Sequence, residues 1–184
     1  MIEIRIHGRG GQGAVTAAEL LAIAVGFKGK SSQSFPYFGV ERRGAPVQAY
    51  CRIDDKPIRV HQNVYTPDYI VVLDPTLIDS IDVCEGLKKE GTVIVNTHLS
   101  SEQCKKKLKS KQVGEVYTVD ATSIALEKIG KPIVNTAMLG AFVNLVDWVD
   151  SQCLEKAVNE FFDDKNMADK NIAAFKGCCE IVKV

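Results

Sequence analysis

The sequence predicts an α/β protein: a three-layer α/β/α arrangement around a mixed, mostly parallel sheet with a β-hairpin insertion. Three observations carry that prediction. Strand-like runs alternate with Ala-rich or amphipathic segments along most of the chain, the order that places helices on both faces of a sheet. The runs at 69–73 and 92–95 are continuously apolar, as expected of strands covered on both sides. Between residues 47 and 60, two strand-like stretches flank Asp54-Asp55-Lys56-Pro57, which reads as an antiparallel hairpin and makes the sheet mixed. No composition shift or linker divides the chain, so one domain is expected over 1–184.

Taken in order, Ile2 to Ile6 alternates apolar and charged residues and reads as a strand with one apolar face. Gly8-Arg9-Gly10-Gly11-Gln12-Gly13 follows, then an Ala- and Leu-rich helix from Ala14 to Val25. Residues 31 to 35 form a candidate second strand. Residues 35 to 46 form a loop dense in aromatics, Gly and Pro. Val47 to Ile53 is the next strand, with Ile58 to Val60 expected to pair back on it. Tyr69 to Leu73 is a buried strand ended by Asp74-Pro75, and Thr92 to Val95 another, ended by Asn96. Ser100 and Gln103 fit a capping box at the head of a lysine-rich surface helix running to Lys111. Glu115 to Val119 reads as a strand, and Ala121 to Ile129 and Thr136 to Val149 as helices. Ser151 is the expected cap of a helix whose stripe is Leu154, Ala157, Val158, Phe161 and Phe162. A last helix from Met167 to Phe175 is expected to stop near Gly177.

The composition excludes several function classes. Lys plus Arg and Asp plus Glu each number 23, so the formal net charge is zero and the basic excess of a nucleic-acid binder is missing. Six cysteines occur without a C-x-x-C pair, and Met1 leads directly into a strand pattern, so free thiols in a reducing cytoplasm are expected. No apolar run reaches the roughly 18 residues of a membrane span.

Gly8-x-Gly10-x-x-Gly13 matches the dinucleotide fingerprint and sits between a strand and a helix, where backbone N–H groups form a ready anion site. The acidic residue that would hold an NAD ribose about 20 positions on is absent, because no Asp or Glu lies between Glu19 and Glu41. Lys28, Lys30, Ser31 and Ser32 leave a 2′-phosphate, and hence NADP, open. The same glycines serve equally to make a tight turn. His7, His61 and His98 show no metal spacing; no nucleophile elbow, phosphate loop or iron–sulfur cysteine series is present.

Four motifs in order carry a family resemblance: Gly8 to Val15, Phe35 to Pro46, Asp68 to Leu77 and Pro132 to Ala141. Together they resemble the gamma subunit of the 2-oxoacid:ferredoxin oxidoreductases over nearly the whole chain. Glu41-Arg42-Arg43-Gly44-Ala45-Pro46 and Asp74-Pro75-Thr76-Leu77 are most similar to the pyruvate branch, or the related branched-chain branch. The resemblance implies a cytoplasmic, non-catalytic gamma subunit working with alpha, beta and delta partners. The complex it implies converts pyruvate or a related 2-oxoacid and coenzyme A to acyl-CoA, CO2 and reduced ferredoxin. It further implies that thiamine diphosphate, Mg and [4Fe–4S] clusters belong to the partners and that this chain alone binds no cofactor. The alternative from a different class is a free-standing NADP-binding reductase built on the Gly8–Gly13 loop.

The candidate cofactor-binding or partner-contact residues are Gly8, Gly10, Gly11, Gln12, Gly13, Tyr37, Phe38, Glu41, Arg42, Arg43 and Asn135. The stretch from Phe35 to Pro46 is expected to meet a partner, since aromatics and Arg are enriched at interface centres. The forks of Arg42 and Arg43 suit partner carboxylates or coenzyme A phosphates.

Overall fold

The structure is a computed structural model describing residues 1–37, 43–110 and 112–181. Its strands are β1 (Ile2–Arg9), β2 (Ser31–Pro36), β3 (Pro46–Asp54), β4 (Tyr69–Val72), β5 (Thr92–Asn96) and β6 (Val116–Val119). Its helices are α1 (Ala14–Gly26), α2 (Leu77–Ser80), α3 (Ser101–Lys107), α4 (Ala121–Lys128), α5 (Asn135–Val143), α6 (Ser151–Phe161) and α7 (Lys165–Ile181). The sheet order is β2-β3-β1-β4-β5-β6. β1, β4, β5 and β6 run parallel, whereas β3 is antiparallel to both β1 and β2. The mixed, mostly parallel sheet of the sequence reading is therefore present.

The two faces are covered unequally. Ile4 and Ile6 of β1 and Ala49, Cys51 and Ile53 of β3 point into the larger core, which α1 and α4 to α7 roof with residues such as Leu21, Ala125, Phe142, Leu154 and Phe175. The opposite core is thinner. Ile70, Val72, Val93 and Val95 meet Leu77 and Ile78 of α2, Cys104 of α3 and loop residues Val83, Leu87 and Val113.

Over β1 and β3 that thin face has no helix, and two buried arginines organise its cover. Arg52, wholly buried, donates through Nε to Glu3 Oε1 at 2.9 Å and through its terminal nitrogens to Val60 O and Asn63 O at 3.4 and 3.1 Å. It also lies 5.1 Å from the Phe35 ring centroid. Arg5 donates to Val83 O at 3.2 Å and to Glu85 O. Buried arginines need this many partners to offset their lost hydration. Arg52 also explains a correction: Ile58 to Val60 form no strand. The carbonyls of that segment are held by a side chain rather than by a ladder, and the antiparallel partner of β3 on its outer side is β2.

Other boundaries shift for local reasons. Ser100 and Gln103 form the expected capping box, but α3 ends at Lys107. α6 is capped by Asp150, which accepts from Cys153 N at 2.9 Å; Ser151 is its first residue. α5 ends at Val143, because the chain turns so that Trp148 packs against Phe142 and Tyr69 at 5.7 and 6.3 Å between centroids. α7 runs through Gly177 to Ile181, since Cys178 continues its buried stripe. Phe161 stays largely exposed at the end of its helix. Among the described residues, no helix is long and apolar enough to cross a membrane.

Candidate functional site

β1 and β4 are parallel neighbours, yet α1 leaves β1 toward the larger core while α2 leaves β4 toward the thinner one. Helices that diverge to opposite faces open a crevice at the carboxyl ends of the strands, where ligands bind in open α/β sheets. A cleft of about 560 Å³ lies there, lined by Gly10, Gly11, Gln12, Arg43, residues 73–76, Asn96, Thr122 and residues 131–134.

The glycine loop forms one wall. Gly11 and Gly13 have φ of 96° and 77°, a left-handed conformation that glycine adopts without a Cβ penalty. Gly13 is the N-cap of α1, and a Cβ there would stand 2.5 Å from Asn135 Nδ2. The close approach of Gly13 to Asn135 brings the N-termini of α1 and α5 together behind the cleft. Both helix ends present uncompensated N–H groups and partial positive charge. Gly10 N donates to Ala45 O at 2.9 Å and Gln12 N to Arg9 O at 2.9 Å, so these two donors are already engaged.

The cleft also carries charge. Arg43 and Lys131 line the cleft and form no ion pair among the described residues. Among the described residues Asp74 is the one acid in the lining, and it is saturated. It accepts from Gln12 Nε2 at 2.8 Å, from Thr76 N at 3.0 Å and Thr76 Oγ1 at 2.6 Å, and pairs with Arg9 Nε at 3.2 Å. Burial works to raise its pKa, but the hydrogen bonds of Thr76 and Gln12 and the Arg9 charge overcome it and hold the carboxyl below its usual range. Asn96 braces the floor by donating to Leu73 O at 2.8 Å and Thr122 Oγ1 at 2.9 Å. The arrangement has the chemistry of an anion receptor. It offers two cations and two helix N-termini, and among the described residues no lining acid is free to accept a ligand hydroxyl.

The structure thus brings Gly10, Gly11, Gln12 and Arg43 to one cleft, with Gly13 and Asn135 packed behind it. Gly8 is the last residue but one of β1, and a Cβ on it would stand 3.3 Å from Leu73 Cδ1. Tyr37 lies apart, exposed and edge-on to Tyr50 at 6.5 Å, while Phe35 packs on Tyr50 at 5.2 Å. Phe38, Glu41 and Arg42 fall outside the described residues. Arg9, Asp74, Thr76, Asn96, Thr122 and Lys131 were not among the sequence candidates. The available signal was Asp74-Pro75 directly after a buried strand, because parallel strands deliver ligand-facing residues at their carboxyl ends.

The residues offered for a 2′-phosphate sit elsewhere and are occupied. Lys28 pairs with Asp150 and Lys30 with Asp55, while Ser32 Oγ donates to Ala22 O. They lie beyond the far end of α1, a helix roughly 20 Å long, from the glycine loop. Burial pushes the thiols of Cys51, Cys84 and Cys178 up to about 12 and that of Cys179 up to about 11. Among the described residues no three His, Cys, Asp or Glu side chains converge as a metal site.

An open α/β fold with a cleft lined by cations at its switch point is the architecture of a ligand-binding α/β protein. The particular family follows from comparison. The profile of the pyruvate ferredoxin/flavodoxin oxidoreductase family matches residues 3–180, and the chain belongs to that family. It is 52% identical over 184 residues to the common gamma subunit of the pyruvate/ketoisovalerate oxidoreductases of Pyrococcus furiosus, covering 100% of this chain and 98% of that protein. It is 53% identical over 185 residues to pyruvate synthase subunit PorC of Methanothermobacter marburgensis, again covering 100% and 98%. The crystal structure of pyruvate oxidoreductase subunit PORC from Thermotoga maritima superposes with a TM-score of 0.84 at 39% identity, covering 97% of this chain and 95% of that one.

Proposed function

We propose that this chain is the gamma subunit of a cytoplasmic, multi-subunit pyruvate (or related 2-oxoacid):ferredoxin oxidoreductase, and that its cleft holds the phosphates of coenzyme A. Full-length similarity to two gamma-type subunits supports the first half. The observation that carries the second is the pair Arg43 and Lys131, both lining a cleft beside two helix N-termini and without a carboxylate partner among the described residues. Unpaired cations are expected where an anionic ligand supplies the counter-charge.

In this reading thiamine diphosphate, Mg and the [4Fe–4S] clusters are held by alpha, beta and delta partners. Reduced equivalents leave to ferredoxin from those subunits. The contribution of the gamma subunit is to bind and orient one substrate. Tyr37, exposed at the mouth of the 38–42 segment, is a candidate contact with a partner.

The test is the double substitution Arg43→Ala with Lys131→Ala in the reconstituted complex. Loss of charge-assisted hydrogen bonds to phosphate raises the apparent KM for coenzyme A about tenfold or more, with the KM for pyruvate unchanged. The melting temperature of the isolated chain stays close to wild type. An unaltered KM for coenzyme A in an assembled, active complex refutes the assignment of the cleft.

A further inference from the structure

Three of the segments that wall the cleft are Gly10–Gln12 after β1, the residues from Arg43 that lead into β3, and residues 73–76 after β4. Arg9 is bonded to the second and third of these, although it does not itself line the cleft. Its Nη1 donates to Gly44 O at 3.1 Å, its Nη2 to Thr76 Oγ1 at 2.7 Å, and its Nε pairs with Asp74 Oδ2 at 3.2 Å. Its own backbone N–H donates to Gln12 Oε1 at 2.8 Å, and the Gln12 amide nitrogen closes the circuit onto Asp74. Two backbone hydrogen bonds, Gly10 N to Ala45 O at 2.9 Å and Gly44 N to Gly10 O at 3.1 Å, bind the first loop to the second.

Gly44, held through its carbonyl, is the residue after Arg43 and has φ of 83°. A left-handed glycine has a wide range of accessible conformations. Gly10 holds the Gly44 N–H and the Ala45 carbonyl, and the remaining anchor of this turn is the bond on the Gly44 carbonyl. The guanidinium fork of Arg9 supplies the anchor and at the same time fixes Thr76 and Asp74 on the facing wall.

We infer that Arg9 is a positioning residue that sets the orientation of Arg43 across the cleft, by tying the Gly44 carbonyl to the Asp74–Thr76 turn. The inference rests on the reading of the cleft as a coenzyme A phosphate site. Lysine is not an adequate substitute. It can pair with Asp74 as a point charge, but it cannot donate in three directions from one plane.

The experiment uses the assembled complex with four variants: Arg9→Ala, Arg9→Lys, Arg43→Ala and Arg9→Ala with Arg43→Ala. The apparent KM for coenzyme A, kcat at saturating coenzyme A, and the melting temperature of each isolated chain are measured. Arg9→Ala and Arg9→Lys are expected to raise KM for coenzyme A about fivefold with little change in kcat. The double variant is expected to match Arg43→Ala alone, because Arg9 acts through Arg43. A purely structural Arg9 would move the melting temperature and leave KM at its wild-type value, or its effect would add in full to that of Arg43→Ala; either result overturns the inference. If Arg43→Ala leaves KM unchanged, the reading of the cleft fails and the inference with it. If Arg43→Ala raises KM and both Arg9 variants do not, the cleft reading stands and only the inference falls. Arg9→Lys keeps the ion pair with Asp74 and carries the test should Arg9→Ala not assemble.

Discussion

At the scale of single residues, the buried polar groups of β1 determine how the protein responds to acid. His7 is 1% exposed, and its Nε2 accepts from Arg5 Nε at 3.1 Å, so the neutral ring carries its proton on Nδ1. Burial first, and the Arg5 charge second, push its pKa down to about 3 against a weaker pull from the Val83 backbone. A histidine with a depressed folded pKa contributes stability above its unfolded value of 6.5, and that contribution is lost as pH falls toward 3. Through that window His7 costs about 1.4 kcal/mol per pH unit. His7→Gln keeps an acceptor for Arg5 and removes the titration. Denaturant melts of the isolated chain between pH 6.5 and 4.5 should therefore show a shallower loss of stability in the variant, and parallel curves would contradict the assignment. Nothing in the sequence marked His7 as buried. The strict alternation of Ile2 to Ile6 put the odd positions on a polar face, and only the tertiary cover from residues 60–63 and 83–85 sealed it.

Among the secondary-structure elements, the tightest constraint is the crossing of α5 and α7. A Cβ on Gly140 would stand 2.1 Å from Phe175 O, so the helices meet there backbone to backbone. Cys179 Sγ also donates to Gly140 O at 3.0 Å. Gly140→Ala forces the helices apart, and overpacking of this kind costs about 1–3 kcal/mol. Thermal unfolding followed by circular dichroism should register it as a drop of several degrees, and an unchanged or raised melting temperature would mean the crossing is loose. The strands and α1 were legible because apolar runs and a glycine punctuation mark are local signals. The end of α5 was not. Leu145, Val146 and Trp148 extend a helical pattern, but Trp148 gains more by packing on Phe142 and Tyr69 than by continuing the helix. The partner of β3 was likewise hidden, because Arg52 looks like a surface residue until its four contacts are seen.

For the whole molecule, one wall of the cleft could be read from the sequence and the other could not. Gly10, Gly11, Gln12 and Arg43 stood out by composition and by resemblance, while Asp74, Asn96 and Lys131 come from distant segments that only the sheet order brings together. The same separation defines what the chain does alone. Supplied with thiamine diphosphate, magnesium, coenzyme A and a viologen dye, the isolated chain should reduce no dye with pyruvate, because among the described residues no three His, Cys, Asp or Glu side chains converge to hold a metal. Pyruvate-dependent dye reduction by the pure chain would refute its role as an accessory subunit.

The position of β3 has a consequence for how the chain reaches its fold. β1 and β2 are made first, and they are parallel, but β3 lies between them. With neighbouring strands about 4.8 Å apart, they stand roughly 10 Å from each other with a strand-wide slot between. Until residues 46–54 arrive, β2 has no ladder to join, and the arriving strand must bond on both edges at once. A chain cut before residue 46 would therefore leave β2 with no hydrogen-bonded neighbour in the sheet, and α1 without the part of the sheet that β3 supplies beneath it.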